Sequence, residues 1–139
     1  MRILIDTNVI LDVLLRREPF YQAGRSVLEM AKYSEIEEII SASAVTDIYY
    51  VVNRTMKNPA VVRELMSRLL LFVRVATVSE REIRYAMELS WDDFEDAVQY
   101  SAAFFARTDA VVTRDAAGFS LAQLPIYSPD EFLMMFNLK

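Results

Sequence analysis

The sequence predicts an α/β fold, a three-layer α/β/α sandwich around a central parallel sheet, and three observations predict it. Short apolar, β-branched runs recur along the chain, each followed by one or two segments with helical apolar spacing. Hydrophobic residues make up 54% and charged residues 25%, enough apolar mass to cover both faces of such a sheet. No Gly/Ser linker, low-complexity stretch or internal repeat interrupts the pattern, so a single domain over residues 1–139 is expected.

Taken in order, Arg2 to Ile5 is an apolar strand that ends at Asp6-Thr7-Asn8, residue types that cap a helix, and Val9 to Leu15 reads as that helix. Pro19 suits a helical first turn, after which Phe20, Ala23, Val27, Met30 and Ala31 share one helix face. Residues 36–42 carry Ile36, Ile39 and Ile40 and form a second strand. Ser43 is the expected cap of the next helix, with Val45, Ile48, Tyr49 and Val52 inward. Pro59 opens another, burying Val62, Leu65, Met66, Leu69 and Leu70. Phe72 to Val78 is a third strand. A helix from Ser79 or Glu80 to Leu89 follows, then one from near Ser90–Phe94 to Arg107, with Ser90 and Asp93 fitting a capping box. Ala110 to Thr113 is a fourth strand, Ile126-Tyr127 a brief fifth, and a last helix starts after Ser128-Pro129.

The chain has no His and no Cys, which excludes His acid–base catalysis, thiol chemistry, His-based triads and N/S metal sites. Two glycines, Gly24 and Gly118, cannot build a dinucleotide loop or a P-loop. Oxygen chemistry remains, carried by 20 acidic residues and the hard cations that carboxylates prefer. A net charge of −5 argues against tight non-specific polyanion binding, unless acids gathered in one pocket hold metal and invert the local field. The N-terminus reaches Asp6 after three apolar residues, too soon for a secretory h-region, and no run is long enough to span a membrane. A cytoplasmic location without membrane contact is expected.

Ligands of parallel α/β sheets bind beyond the carboxyl ends of the strands. Asp6 follows the first strand, Asp115 the fourth, and Asp47 lies in the first turn of the helix after the second. Asp93 and Asp96 stand three apart at a helix start, on one face. Each alone is explained by capping, the helix dipole or a turn. Jointly they gather at one end of the sheet, where carboxylates repel unless a cation sits among them.

Asp6-Thr7-Asn8-Val9-Ile10-Leu11-Asp12 after a strand, Asp93-Phe94-Glu95-Asp96-Ala97 opening a helix, and Thr113-Arg114-Asp115 after Val111-Val112 together resemble the PIN domain. Order, spacing and size resemble its VapC-like toxin branch over nearly the whole chain. The resemblance implies a metal-dependent ribonuclease with catalytic acids Asp6, Asp47, Asp96 and Asp115, metal held by Asp6, Asp93, Asp96 and Asp115, and Thr7, Asn8 and Thr113 in support. The family usually has Glu where this chain has Asp47, and often an acid in the loop where Gly118 precedes Phe119.

The expected chemistry is cleavage of RNA, single-stranded or in loops, with one or two Mg²⁺ or Mn²⁺ ions activating a water for in-line attack. Without His to serve as base for a 2′-hydroxyl pathway, products should carry 5′-phosphate and 3′-hydroxyl ends. Arg16, Arg17, Arg54 and Lys57 are the candidate basic patches, and Tyr49 and Tyr50 candidate stacking residues. The resemblance also suggests an antitoxin partner; a homodimer is expected as well, and Ile48, Tyr49, Val52, Val62 and Leu65 are either a dimer face or antitoxin groove or simply core. The competing reading is a PIN-like RNA-binding or scaffolding module without activity. Receiver-type and Asp-nucleophile phosphatase folds would need, respectively, a Lys after a late strand and an acid at position 8, where this chain has Arg114-Asp115 or Ser128-Pro129 and Asn8.

Overall fold

The computed structural model describes residues 1–137. Five parallel strands lie in the order β3-β2-β1-β4-β5: β1 (Arg2–Ile5), β2 (Glu37–Ser41), β3 (Val73–Ala76), β4 (Ala110–Val112) and β5 (Ile126–Tyr127). Among the described residues seven helices flank them: α1 (Thr7–Leu14), α2 (Tyr21–Glu29), α3 (Ala42–Met56), α4 (Pro59–Leu69), α5 (Glu80–Leu89), α6 (Phe94–Phe105) and α7 (Pro129–Asn137). The expected sandwich is the one observed.

Alternation along the strands assigns the layers. Ile3, Ile5, Ile36, Ile40, Val73 and Val112 point to one face and pack with α1, α2, α3, α4 and α7 through Val9, Val27, Ile48, Val62 and Phe132. Leu4, Ile39, Ala76 and Val111 point to the other, against Tyr100 and Ala103 of α6 and against Phe119. The α5–α6 pair closes that layer through Ala86, Ala97 and Val98. With β1 paired to both β2 and β4, the carboxyl ends of strands one and four are neighbours. Among the described residues, no helix is long and apolar enough to cross a membrane.

Four local expectations are corrected. Helix α3 starts at Ala42 and is capped by Ser41, whose Oγ accepts from Ala44 N at 3.2 Å; Ser43 lies inside the first turn, so Asp47 is in the second. Ser90 is no cap for α6. It ends α5 in a left-handed conformation (φ 55°), and Asp93 caps α6 alone by accepting from Asp96 N at 3.1 Å. Strand β3 starts at Val73 rather than Phe72 because Leu70, Leu71 and Phe72 close the turn after α4 through backbone N–H bonds to Met66, Arg68 and Leu69, and it ends at Ala76 rather than Val78; Leu70 is exposed rather than inward. Pro19 precedes α2 by two residues instead of sitting in its first turn.

Candidate active site

Asp6 terminates β1 and caps α1, and only 5% of it is exposed. Its Oδ1 accepts from Thr7 N at 2.7 Å and Gln99 Nε2 at 2.9 Å, and its Oδ2 accepts from Thr113 Oγ1 at 2.7 Å. Burial pushes its pKa up, against the lowering effect of those three donors, and Asp115 adds to the rise. The site is therefore built on an acid fixed in place from both sides of the sheet's carboxyl edge.

Around it stand the acids of α6 and of the loop after β4. Asp96, in the first turn of α6, has its pKa raised to about 7 by burial first and then by the charges of Asp6, Asp93, Asp115 and Glu95. Thr113 Oγ1 also accepts from Asp115 N at 2.9 Å, so one hydroxyl ties the Asp6 carboxylate to the Asp115 backbone. Asp115 caps the 3-10 turn of residues 116–119 by accepting from Gly118 N at 3.2 Å. Gly118 has a steric role as well. A β-carbon there would collide with Asp96 Oδ2 and stand 2.9 Å from Asp115 Oδ2, so these two oxygens flank one methyl-sized position that glycine keeps open.

The structure brings Asp6, Asp93, Asp96 and Asp115 together. Asp47 joins only beside Glu95, whose pKa is raised to about 7 by burial and then by Asp47, Asp93 and Asp6. Thr7 supports Asp6 through its backbone, while its buried Oγ1 has no partner among the described residues. Asn8 Oδ1 accepts from Arg114 N at 3.4 Å, steadying the loop that carries Asp115. Glu95 and Gln99 were absent from the expected site. Gln99 lies three residues after Asp96, one helix position along the same face, which is the signal that would have found it.

None of Asp6, Asp47, Asp93, Glu95, Asp96 and Asp115 forms an ion pair among the described residues. The nearest guanidinium in sequence, Arg114, is directed to Asp12 instead. Asp96 and Glu95, whose pKa values burial and then neighbouring charges raise to about 7, thus have no cationic partner among the described residues. An all-oxygen set of this kind fits a hard divalent cation. Among the described residues no three acids already stand in coordinating positions; Mg²⁺ needs only one or two carboxylates and completes its shell with water, which Asp96 and Asp115 on either side of Gly118 satisfy.

Of the basic residues expected to grip substrate, Arg54 and Lys57 lie at the far end of α3, which runs away from the strand ends where the acids sit. Arg17 lies 4.0 Å from Asp12, and Arg16 stacks on Tyr21 at 6.0 Å. The face expected to meet a partner is also revised: Ile48, Val52 and Val62 are fully buried core, leaving Tyr49 and Leu65 half-buried.

A family model described as "PIN domain" matches residues 2–117. The chain belongs to the PIN domain family. The PIN domain is 21% identical over 143 residues to "Ribonuclease VapC1" of Aquifex aeolicus (strain VF5), covering 98% of this chain and 96% of the relative. Its fold is shared with VapBC-1 from nontypeable Haemophilus influenzae (TM-score 0.73, 13% identity, 94% of this chain and 99% of that one). It is shared likewise with a toxin–antitoxin complex from Klebsiella pneumoniae (TM-score 0.67, 19% identity, 91% and 96%). The PIN domain motifs at Asp6, Asp93–Asp96 and Thr113–Asp115 meet at the same strand ends that carry the acid cluster.

Proposed function

We propose that this PIN domain is a divalent-metal-dependent endoribonuclease and the toxin of a toxin–antitoxin pair. The observation that carries the reading is the uncompensated acid cluster, with Asp96 and Asp115 oxygens facing one position that Gly118 leaves clear. The name of the Aquifex relative supports ribonuclease activity.

In this reading Asp6, Asp96 and Asp115 hold Mg²⁺ or Mn²⁺, with Asp93 and the Glu95–Asp47 pair acting directly or through water. Bound there, the cation would lower the pKa of water and neutralise charge developing on the phosphate. The residues of the chain set the geometry for that chemistry. Three donors lock the Asp6 carboxylate, and Thr113 couples it to the Asp115 loop, so the acids are positioned before substrate arrives. Asp96, with its pKa near 7, gives up its proton on meeting a cation. The chain has no imidazole to deprotonate a ribose 2′-hydroxyl, which favours hydrolysis over cyclisation.

The test is cleavage of labelled structured and single-stranded RNA in Mg²⁺, Mn²⁺ or EDTA by wild type, Asp6→Asn and Asp96→Asn. The expected result is metal-dependent cutting that leaves 5′-phosphates and is lost in both variants. Cutting that survives EDTA or either substitution overturns the assignment, and a folded protein that does not cut is a binding module.

The antitoxin is proposed to cover an apolar cleft of about 270 Å³ between α1, α2 and α4, lined by Val13, Leu14, Leu28, Leu65, Leu69 and Phe72. The Klebsiella neighbour is a toxin–antitoxin complex, which supports a partner of that kind. A cognate antitoxin should inhibit cleavage stoichiometrically, and Leu65→Asp should relieve the inhibition.

A further inference from the structure

A second feature lies at the same strand ends, beside the acids and outside them. Arg114 directly precedes Asp115, yet its side chain turns away from the cluster. Its Nε and Nη2 donate to Asp12 Oδ2 and Oδ1, the latter at 3.1 Å, and Asp12 is almost wholly buried. Its guanidinium carbon sits 3.9 Å from the centre of the Phe20 ring. Two in-plane bonds and one stacked face immobilise this guanidinium, while Nη1 has no partner among the described residues.

Arg114 and Phe20 form one wall of a cavity of about 610 Å³, completed by Gln22, Ser128, Pro129 and Asp130. Ser128 follows β5 and Arg114 follows β4, so the cavity opens at the carboxyl edge of the sheet that carries the acids. Phe20 is 40% exposed, an unusual place for a phenyl ring to be held rigid. Asp12 is shared between Arg114 and, at 4.0 Å, Arg17, and Asp130 at the cavity offsets the remaining positive charge, so the cavity does not favour a phosphate. The open face of this fixed ring–guanidinium stack, with the carboxylate of Asp130 and the amide of Gln22 in the lining, suits a flat nucleobase.

We infer that this cavity seats one unpaired base of the RNA strand next to the cleaved bond, stacked on an open face of the Phe20–Arg114 pair and read at its edge by Asp130. The inference rests on the ribonuclease reading. Guanine is the preferred occupant, because its N1–H and N2–H lie side by side and match a carboxylate, whereas uracil offers a single such donor. Phe20 and Asp130 are thus specificity residues, and Asp12 is a positioning residue acting through Arg114.

The experiment uses a labelled heptaribonucleotide with one central guanine among uridines, beside heptauridine. Binding is measured by anisotropy in the Asp96→Asn background, and cleavage in the active protein with Mn²⁺. The guanine oligomer should bind more tightly and be cut at a fixed offset from the guanine. Phe20→Ala should weaken its binding about 5- to 100-fold, and Asp130→Asn should erase the guanine preference while the protein's melting curve stays in place. Equal binding and cutting of both oligomers by wild type, Phe20→Ala and Asp130→Asn overturns the base site and leaves the nuclease intact. Guanine-selective binding lost in these variants, without cleavage by wild type, upholds the base site and overturns the nuclease. Neither binding nor cleavage overturns both.

Discussion

Thr113 is the residue on which the site's geometry turns. Its hydroxyl donates to Asp6 and accepts from the Asp115 backbone, so replacing it removes one bond from each of two proposed ligands. Thr113→Val conserves volume and should lower cleavage by about 10- to 100-fold, the usual effect of losing a ligand's supporting hydrogen bond. Its pH profile should also move upward, because the hydroxyl bond holds the Asp6 pKa down. Circular dichroism should be unchanged. Gly118→Ala probes the same site sterically: its methyl group needs the space between Asp96 and Asp115, so it should weaken Mn²⁺ binding more than it lowers the melting temperature. At this scale the sequence was readable where a residue ends a strand or starts a helix, as Asp6, Asp93, Asp96 and Asp115 do. Glu95, Gln99 and the Asp12–Arg114 pair were not, because their roles depend on neighbours roughly 50 to 100 positions away in the chain, which no local periodicity encodes.

Strand β2 carries a group that the active site does not use. Glu38 is 1% exposed, neither carboxyl oxygen has a partner among the described residues, and burial raises its pKa to about 9. The folded protein therefore keeps a proton that the unfolded chain releases near the ordinary glutamate value. Stability from this group is complete below about pH 4.5 and is lost as pH rises through 9. Glu38→Met, close in volume and without polar atoms, should stabilise the fold at pH 8 by roughly 1–3 kcal/mol, read as a rise of several degrees in melting temperature. The gain should shrink towards pH 4.5. A variant less stable than wild type at pH 8 would show that the carboxyl is satisfied in solution. The sequence displayed β2 as a strand through Ile36, Ile39 and Ile40 but not the burial of Glu38, since a strand flanked on both faces hides polar and apolar positions alike. Cap choice was similarly beyond reach: Ser41 and Ser43 are chemically equal candidates, and only pairing of β2 through Ser41 with Ala76 decides where the strand stops.

For the whole molecule, a cation site at the acid cluster would make stability depend on pH and on cations together. Asp96 and Glu95 have pKa values raised to about 7, so in EDTA their contribution to stability is present below about pH 4 and is lost as pH rises through 7. Heating in EDTA should therefore show a falling melting temperature from pH 5 to pH 8. Excess Mg²⁺ should restore it at pH 8 and do little at pH 5, because a cation binds the deprotonated cluster of the folded state alone. A shift of equal size at both pH values would mean that the ion acts elsewhere. The global architecture was the most legible level. Alternating strand and helix patterns imply a parallel sheet, which is observed, and such a sheet directs a search for ligands to its strand ends, where pairing of β1 with β4 brings Asp6 and Asp115 close. What stayed hidden was the direction of the basic residues, since Arg54 and Lys57 become remote only once α3 is seen to run away from the site.

The central claim is that the carboxylates at these strand ends form a divalent-cation site. The most direct measurement is calorimetric titration of Mn²⁺ into wild type and Asp96→Asn at pH 7, repeated in two buffers of different ionisation enthalpy. The expected result is binding to wild type with release of protons, seen as a buffer-dependent heat, and its loss in the variant. Mn²⁺ that binds both proteins alike, or neither, contradicts the claim.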